Sequence, residues 1–153
     1  MAANSTENED RTVEISAGLT FSSMPIQLQN VTNITFVIDG TLKASKDHEH
    51  YPVDSNSASI SNFFVLYDAE DITFKGKGTI DGQGFMWWVR ELLKKNPNGR
   101  PFLIEIRRMR NLDFSGVKLL NSPHFHLSAK DMDQAHFHDF EIEVDVMGQL
   151  NIG

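Results

Sequence analysis

The sequence predicts an all-β domain, and two observations carry that prediction. From Val13 onward the apolar residues come in short bursts that are rich in β-branched and aromatic types, and Gly, Asn, Asp or Pro separate the bursts. This pattern is typical of short strands joined by turns. The second observation is a segment that recurs along the chain, which is the mark of stacked coils. The pattern leaves two architectures open, a parallel solenoid and a β-sandwich whose strands resemble one another by coincidence.

The recurring segment is clearest in two places. Asn33-Ile-Thr-Phe-Val-Ile-Asp-Gly-Thr-Leu42 resembles Asp71-Ile-Thr-Phe-Lys-Gly-Lys-Gly-Thr-Ile80, and looser copies begin at Asn111 and Ala135. The copies are unevenly spaced, with their phenylalanines at positions 36, 74, 114 and 137. Stacked folds tolerate such insertions because each unit contacts only its neighbours.

The chain is predicted to consist of a disordered lead (1–12) and one domain (13–153). A polar stretch at 43–59 is predicted to be a loop. One short helix is predicted at 85–95, because lysines occupy its last turn and Asn96-Pro-Asn-Gly99 would end it. The predicted strands are 26–29, 33–38, 63–67, 71–74, 102–106, 111–114, 117–120, 125–128, 135–138 and 140–144.

Composition excludes several classes of function. The 153 residues carry a net charge of -7, which disfavours nucleic acid as a partner because phosphate binding needs a basic surface. No apolar run reaches the roughly 20 residues of a membrane span. The absence of cysteine excludes disulfides and thiolate metal sites. The polar, acidic residues 1–10 do not have the pattern of a secretory signal.

Two blocks of sequence carry a family resemblance. Gly78-Thr-Ile-Asp-Gly-Gln-Gly84 with Trp87-Trp88, followed by Asn111 to Pro123 with its Leu-Leu-Asn-Ser-Pro ending, resembles the N-terminal part of a polygalacturonase. These enzymes form glycoside hydrolase family 28. The resemblance implies a pectin lyase-like fold, a right-handed single-stranded parallel β-helix. It also implies pectic polysaccharide as the partner, inverting hydrolysis of α-1,4-galacturonosyl bonds and secretion.

The catalytic signatures of that family do not occur in this chain. They are Asn-Thr-Asp, Asp-Asp, Gly-His-Gly and Arg-x-Lys, and they follow the Asn-Ser-Pro block in the family. We therefore expect a truncated β-helix that is inactive alone, and we predict no catalytic, cofactor-binding or metal-binding residue. The alternative is a carbohydrate-binding or assembly module. Open coil ends would favour self-association, because they leave strand edges unpaired.

Several residues nevertheless suggest a site. Glu141, Glu143 and Asp145 alternate along a predicted strand, with a spacing close to the 6.5–9.5 Å that separates the two carboxyl groups of inverting glycosidases. Since apolar residues alternate with them, the acids are predicted to be the solvated face of that strand, and an active hydrolase that uses them is the less favoured hypothesis. Trp87 and Trp88 could stack on sugar rings, but packing against the domain is preferred.

Histidines and turn residues complete the candidates. His124 with His126, and His136 with His138, form two pairs that could bind zinc or copper if all four converged. The pairs are too close in sequence to lie on equivalent strands, so surface histidines are predicted instead. Asn121 is predicted to satisfy backbone groups between coils.

Overall fold

A computed structural model describes residues 11–150. The chain forms eleven strands and two α-helices within this range, with a single 3-10 turn at His48–His50. The strands are β1 (Thr12–Ile15), β2 (Thr20–Ser23), β3 (Ile26–Gln29), β4 (Thr32–Ile38), β5 (Thr41–Ala44), β6 (Phe64–Lys75), β7 (Thr79–Asp81), β8 (Ile104–Ser115), β9 (Lys118–Leu120), β10 (Leu127–His138) and β11 (Glu141–Glu143). The helices are α1 (Phe85–Leu92) and α2 (Val146–Leu150).

The strands stack as a parallel β-helix, which confirms the solenoid and makes the β-sandwich alternative wrong. One sheet, called sheet A here, has the order β1-β4-β6-β8-β10, and β3 also pairs with β6. The other, sheet B, has the order β11-β9-β7-β5-β2. Every pairing within the two sheets is parallel, so each coil lies on the preceding one in register.

The long strands of sheet A bend in the middle without breaking their hydrogen-bonded ladder. Each bend contains two residues with positive φ, such as Asp68 (φ 52°) and Asp71 (φ 54°) in β6. The same corner in the next coil holds Arg108 and Asn111, and the Asn111 amide donates a 2.6 Å hydrogen bond to the Asp71 carboxylate. For this reason the pairs of strands predicted on either side of each bend are single strands, β6, β8 and β10.

A ladder of phenylalanines fills the core. Phe36 stacks on Phe74 with ring centroids 4.6 Å apart, Phe74 lies 5.1 Å from Phe114, and Phe114 lies 5.8 Å from Phe137. The register places these four residues directly above one another, so the repeat seen in the sequence is the stacked position of the coil. Val13 occupies the same position in the first coil.

Two insertions explain the uneven spacing of that ladder. Both insertions follow a strand of sheet B: one spans 45–63 after β5, and the other spans 82–103 after β7. They pack against each other through Tyr51 and Trp87, whose rings meet edge to face at 5.3 Å. Tyr51 is buried and donates its hydroxyl to the Ser45 carbonyl, and burial raises the pKa of Tyr51 to about 12. The insertions therefore form one packed layer beside the coils.

The glycine-rich run at 76–84 lies where neighbouring coils approach most closely. Gly76 has φ 121° and Gly116, one coil above it, has φ 78°. A Cβ added to Gly116 would lie 2.1 Å from the Gly76 carbonyl oxygen, and one added to Gly84 would lie 2.6 Å from that of Asn121. Only glycine fits such contacts. The Gly-rich block and the Asn-Ser-Pro block are thus stacked neighbours, which explains why they occur together.

Element boundaries differ from the prediction in several places. Helix α1 ends at Leu92 and not at residue 95, because Lys94 takes a left-handed conformation (φ 54°). The predicted strands 102–106 and 125–128 begin later, at Ile104 and Leu127, and 140–144 is reduced to β11. The first described strand, β1, begins at Thr12, the last residue of the predicted lead, and residues 1–10 of that lead lie outside the described residues. The short strands β1, β2, β5 and β7 were not predicted.

The two last strands, β10 and β11, pair on one side only among the described residues. Self-association of the 153-residue chain through such edges remains a prediction.

We predict that Phe74→Ala lowers the free energy of unfolding by about 3–5 kcal/mol, because it removes a fully buried ring from the middle of the ladder. Urea denaturation followed by circular dichroism measures this change. Phe21→Ala is the matched control, since Phe21 is 51% exposed and its loss should change stability little. Equal effects of the two substitutions would contradict a ladder-based core.

We predict that His126 titrates below its ordinary pKa of 6.5. Burial lowers the pKa of His126, and its Nε2 accepts a 3.2 Å hydrogen bond from the Ser122 N–H, which requires an unprotonated nitrogen. A depressed histidine pKa contributes stability above the unfolded value of 6.5, and this contribution is lost as the pH falls through the folded pKa. An NMR titration measures the midpoint in the folded chain and in urea. A titration midpoint of His126 in the folded chain at or above the midpoint in urea would contradict this prediction.

Candidate functional site

A groove of about 770 Å³ lies on the outer face of sheet A, beside the two insertions. Its floor is formed by outward-facing side chains of β6 and β8, and the insertions supply its polar wall. The floor residues are Val65, Tyr67, Glu105 and Arg107, and the wall includes Asn62, Asn96, Asn98, Arg100, Phe102 and His124.

The strands place these floor residues by simple alternation. Phe64 and Leu66 point into the core, so Val65 and Tyr67 between and beyond them point outward. The parallel register then sets Val65 beside Glu105 and Tyr67 beside Arg107. A tyrosine and an ion pair are thereby brought together from two coils.

Glu105 is the centre of the groove floor and is only 3% exposed. One carboxylate oxygen forms an ion pair with the Arg107 guanidinium at 2.7 Å. The other accepts hydrogen bonds from the Tyr67 hydroxyl at 3.1 Å and from the Asn62 amide at 2.5 Å. Burial and the Glu105 charge raise the pKa of Tyr67, which keeps its hydroxyl a donor. Such a carboxylate is fully paired, as a buried charge must be.

The groove wall carries charges of both signs. Arg100 donates to the Pro123 carbonyl at 2.9 Å and lies 3.5 Å from the Glu91 carboxylate. His124 lies beside it, and burial together with the Arg100 charge lowers the pKa of His124. Asparagine amides and serine hydroxyls occupy much of the remaining wall. The groove therefore offers hydrogen bonds for hydroxyl groups and two guanidinium groups for a carboxylate.

The three predicted acids lie away from this groove. Glu141 and Glu143 project from β11 in sheet B and share one cation, with the Lys118 ammonium 2.8 Å from Glu143 and 3.9 Å from Glu141. Asp145 lies beyond the strand, where its carboxylate accepts a 2.8 Å hydrogen bond from the Gly148 N–H. These residues form a surface ion pair and a turn.

The two histidine pairs belong to different elements, and the prediction that each pair lies on a strand holds for one pair only. His124 and His126 lie in the connection before β10 and are not on a strand. His136 and His138 lie on β10, where the preceding coil adds Asp113 beside them. The sequence alone did not predict Asp113 beside this pair.

The tryptophans and the turn residues behave as packing predicts. Trp87 is buried against Tyr51 and His48, and the Trp88 indole donates a 3.0 Å hydrogen bond to the Ser122 carbonyl. Asn121 is buried, and its side-chain oxygen accepts a hydrogen bond from the Asp145 N–H at 2.7 Å. Both arrangements tie one coil to the next.

Asp81 serves the same kind of role at its own turn. Its carboxylate accepts a 2.8 Å hydrogen bond from the Gln83 N–H, which caps the bend after β7. Burial raises the pKa of Asp81, but the residue belongs to sheet B and does not line the groove.

Sequence reasoning missed Glu105 and Arg107. The one available signal was the alternation in Ile104-Glu-Ile-Arg107, which places both charged residues on the face opposite to the isoleucines. That signal could not reveal that the insertions cover this face.

None of the helices in the described range is long and apolar enough to cross a membrane.

Comparison with known proteins relates this chain to a family of enzymes. The family model described as "Glycosyl hydrolases family 28" matches residues 6–147. An endo-polygalacturonase of Pectobacterium parmentieri is 31% identical over 147 residues, which cover 82% of this chain and 37% of that protein. A polygalacturonase of Cryptomeria japonica is 34% identical over 62% of this chain and 18% of its own length.

Solved structures agree. The polygalacturonase of Erwinia carotovora ssp. carotovora superposes with a TM-score of 0.74 at 28% identity, over 90% of this chain and 42% of that one. An exopolygalacturonase from Thermotoga maritima has the same fold, with a TM-score of 0.71 at 22% identity over 87% of this chain and 39% of that one. The chain spans about two fifths or less of the length of these relatives. From the match over residues 6–147, the chain belongs to family 28 of the glycosyl hydrolases.

Proposed function

We propose that this chain builds one part of the pectin-binding groove of a polygalacturonase-type β-helix and that residues 1–153 alone do not hydrolyse the polymer. The observation that carries the proposal is the groove on sheet A, where the Arg107–Glu105–Tyr67 network lies on the floor and amides line the wall. Two relatives named endo-polygalacturonase and polygalacturonase suggest the substrate class, a polymer of galacturonic acid.

The chemistry of the groove suits such a polymer. Galacturonosyl units carry hydroxyl groups and one carboxylate each, so they need hydrogen-bonding amides and local cations. The net charge of -7 opposes a polyanion at long range, and the Arg107 side chain, which is 41% exposed, offers a local contact. Arginine matches a carboxylate with two parallel hydrogen bonds.

The proposed lack of hydrolysis is supported by the hydrogen bonds and ion pairs that the carboxylates already make. Inverting hydrolysis needs one carboxylic acid and one carboxylate on opposite sides of the scissile bond. Glu105 accepts hydrogen bonds from three side chains, and Glu141 and Glu143 share Lys118 on the other sheet. Two further carboxylates line the groove and are also paired: Glu91 lies 3.5 Å from Arg100, and Asp54 accepts hydrogen bonds from the backbone N–H groups of Asn56 and Ser57. A secreted location is proposed from the substrate class alone.

A second candidate is a carbohydrate-binding or assembly module with no connection to hydrolysis. It would use the same groove, and the buried Trp87 removes the tryptophan pair as its platform. The two candidates differ only in whether further coils add catalytic acids.

We predict that the Glu105→Gln/Arg107→Gln double variant binds tetragalacturonate about tenfold more weakly than the native chain, because a charge-assisted hydrogen bond contributes about 1.5–3 kcal/mol. Changing both residues avoids leaving a buried carboxylate without its cation. Isothermal titration calorimetry at low salt measures the dissociation constants.

The control for this binding experiment is Arg110→Gln. Arg110 is also on β8, but it pairs with Glu70 on the exposed part of sheet A outside the groove. Its loss should leave the affinity within about twofold, since surface charges act weakly at a distance. Equal weakening by both variants would contradict a site in the groove, because Arg110 lies outside it.

We predict that the native chain releases no reducing ends from polygalacturonate above the buffer blank. A full-length polygalacturonase in the same assay serves as the positive control. Turnover by this chain that disappears in Glu143→Ala would overturn the proposal and establish the acids of β11 as catalytic. The binding measurement is independent of this result, so a failure of one does not imply a failure of the other.

A further inference from the structure

Three potential metal ligands come together on the outer face of sheet A, at its last two strands. Asp113 on β8 and His136 on β10 are direct neighbours in the parallel register. His138 lies two residues beyond His136 and so projects from the same face, because the buried Phe114 and the partly buried Phe137 of these strands point into the core. The cluster is separate from the groove, none of whose lining residues belongs to it.

The ligand atoms of this cluster are close enough to share one ion. All three lie within 4.8 Å of one another. The Asp113 Oδ1 is 2.9 Å from the His138 Nε2 and 3.6 Å from the His136 Nδ1. The two imidazole rings are stacked with centroids 4.3 Å apart. Their side chains are 74% and 34% exposed, so water can complete a coordination sphere.

A second carboxylate, that of Asp139, contacts the ring nitrogen of His138 that does not face Asp113. The other ring nitrogen of His138, Nδ1, lies 3.0 Å from the Asp139 carboxylate. A histidine that binds a metal through one nitrogen commonly donates its other N–H to a carboxylate, which fixes the tautomer and orients the ring. His138 thus has Nε2 facing the Asp113 ligand atom and Nδ1 held from outside the cluster.

We propose that Asp113, His136 and His138 bind a divalent zinc ion, with water as a fourth ligand and Asp139 as the residue that positions His138. Two imidazoles and one carboxylate form a donor set that suits zinc and the neighbouring late transition metals, whereas magnesium and calcium prefer oxygen ligands alone. The sequence predicted no metal site, because the two histidine pairs are too close together in the chain to converge on equivalent strands. Asp113 comes from the preceding coil, and the site does not depend on pectin binding.

Titration of the untagged chain tests this proposal. Zinc chloride is added in a buffer that does not chelate metals, and calorimetry gives the stoichiometry and the dissociation constant. We expect one ion per chain, and cobalt(II) in its place should give the visible absorption of a tetrahedral site. The variants His136→Gln and His138→Gln should each weaken zinc binding about tenfold or more, and Asp139→Asn about 10–100-fold.

The matched control is His50→Gln. His50 is an exposed histidine that also pairs with an aspartate, Asp47, but it belongs to the first insertion and has no third ligand nearby among the described residues. Its loss should leave zinc affinity unchanged. Circular dichroism verifies that each variant remains folded. The proposal is overturned if the native chain binds no zinc, or if His50→Gln and His138→Gln weaken binding equally.

Discussion

The in-register stacking of parallel coils is the constraint on which the rest of this structure depends. Because each strand of one coil pairs residue for residue with the next, a position that faces inward does so in every coil. The phenylalanine ladder follows from this rule on the inside. The same rule outside brings Tyr67 beside Arg107 in the groove and Asp113 beside His136 in the histidine cluster. Core and sites are therefore products of one register.

Close approach between coils adds a second requirement. The backbone of Gly84 donates a 2.8 Å hydrogen bond to the Asn121 carbonyl, and Trp88 bonds the adjoining Ser122. The two sequence blocks that identify the family are hence the two sides of one contact between coils. The presence of both blocks therefore indicates this contact between coils. A parallel β-helix needs the contact whether or not it carries catalytic acids.

The sequence pattern predicted an all-β chain and the location of both insertions, because apolar periodicity and turn residues are local properties, whereas the choice of a parallel β-helix over a β-sandwich came from the family resemblance. It did not predict that the strands around Asp68 and Asp71 are continuous, since residues with positive φ normally interrupt strands. It also missed β1 and β2, which have only four residues each. These short strands exist because a neighbouring coil supplies their hydrogen bonds.

The sites were harder to predict for a related reason. Arg108 and Asp68 are neighbours although they are 40 residues apart, whereas Asp113 and His138 are 25 apart, because the insertions lengthen some coils and not others. Only the register reveals which residues meet. Candidates chosen by spacing within a single strand, such as Glu141 and Glu143, could not show the partner Lys118 that neutralises them.

The most direct test of this account is NMR mapping of tetragalacturonate on the isotopically labelled chain. The account predicts chemical-shift changes at the outward residues of β6 and β8 and in the two insertions, with β11 unaffected. Changes centred on β11, or on the helix around Trp88 without Tyr67 and Arg107, would contradict the claim that coil register builds the binding groove on sheet A.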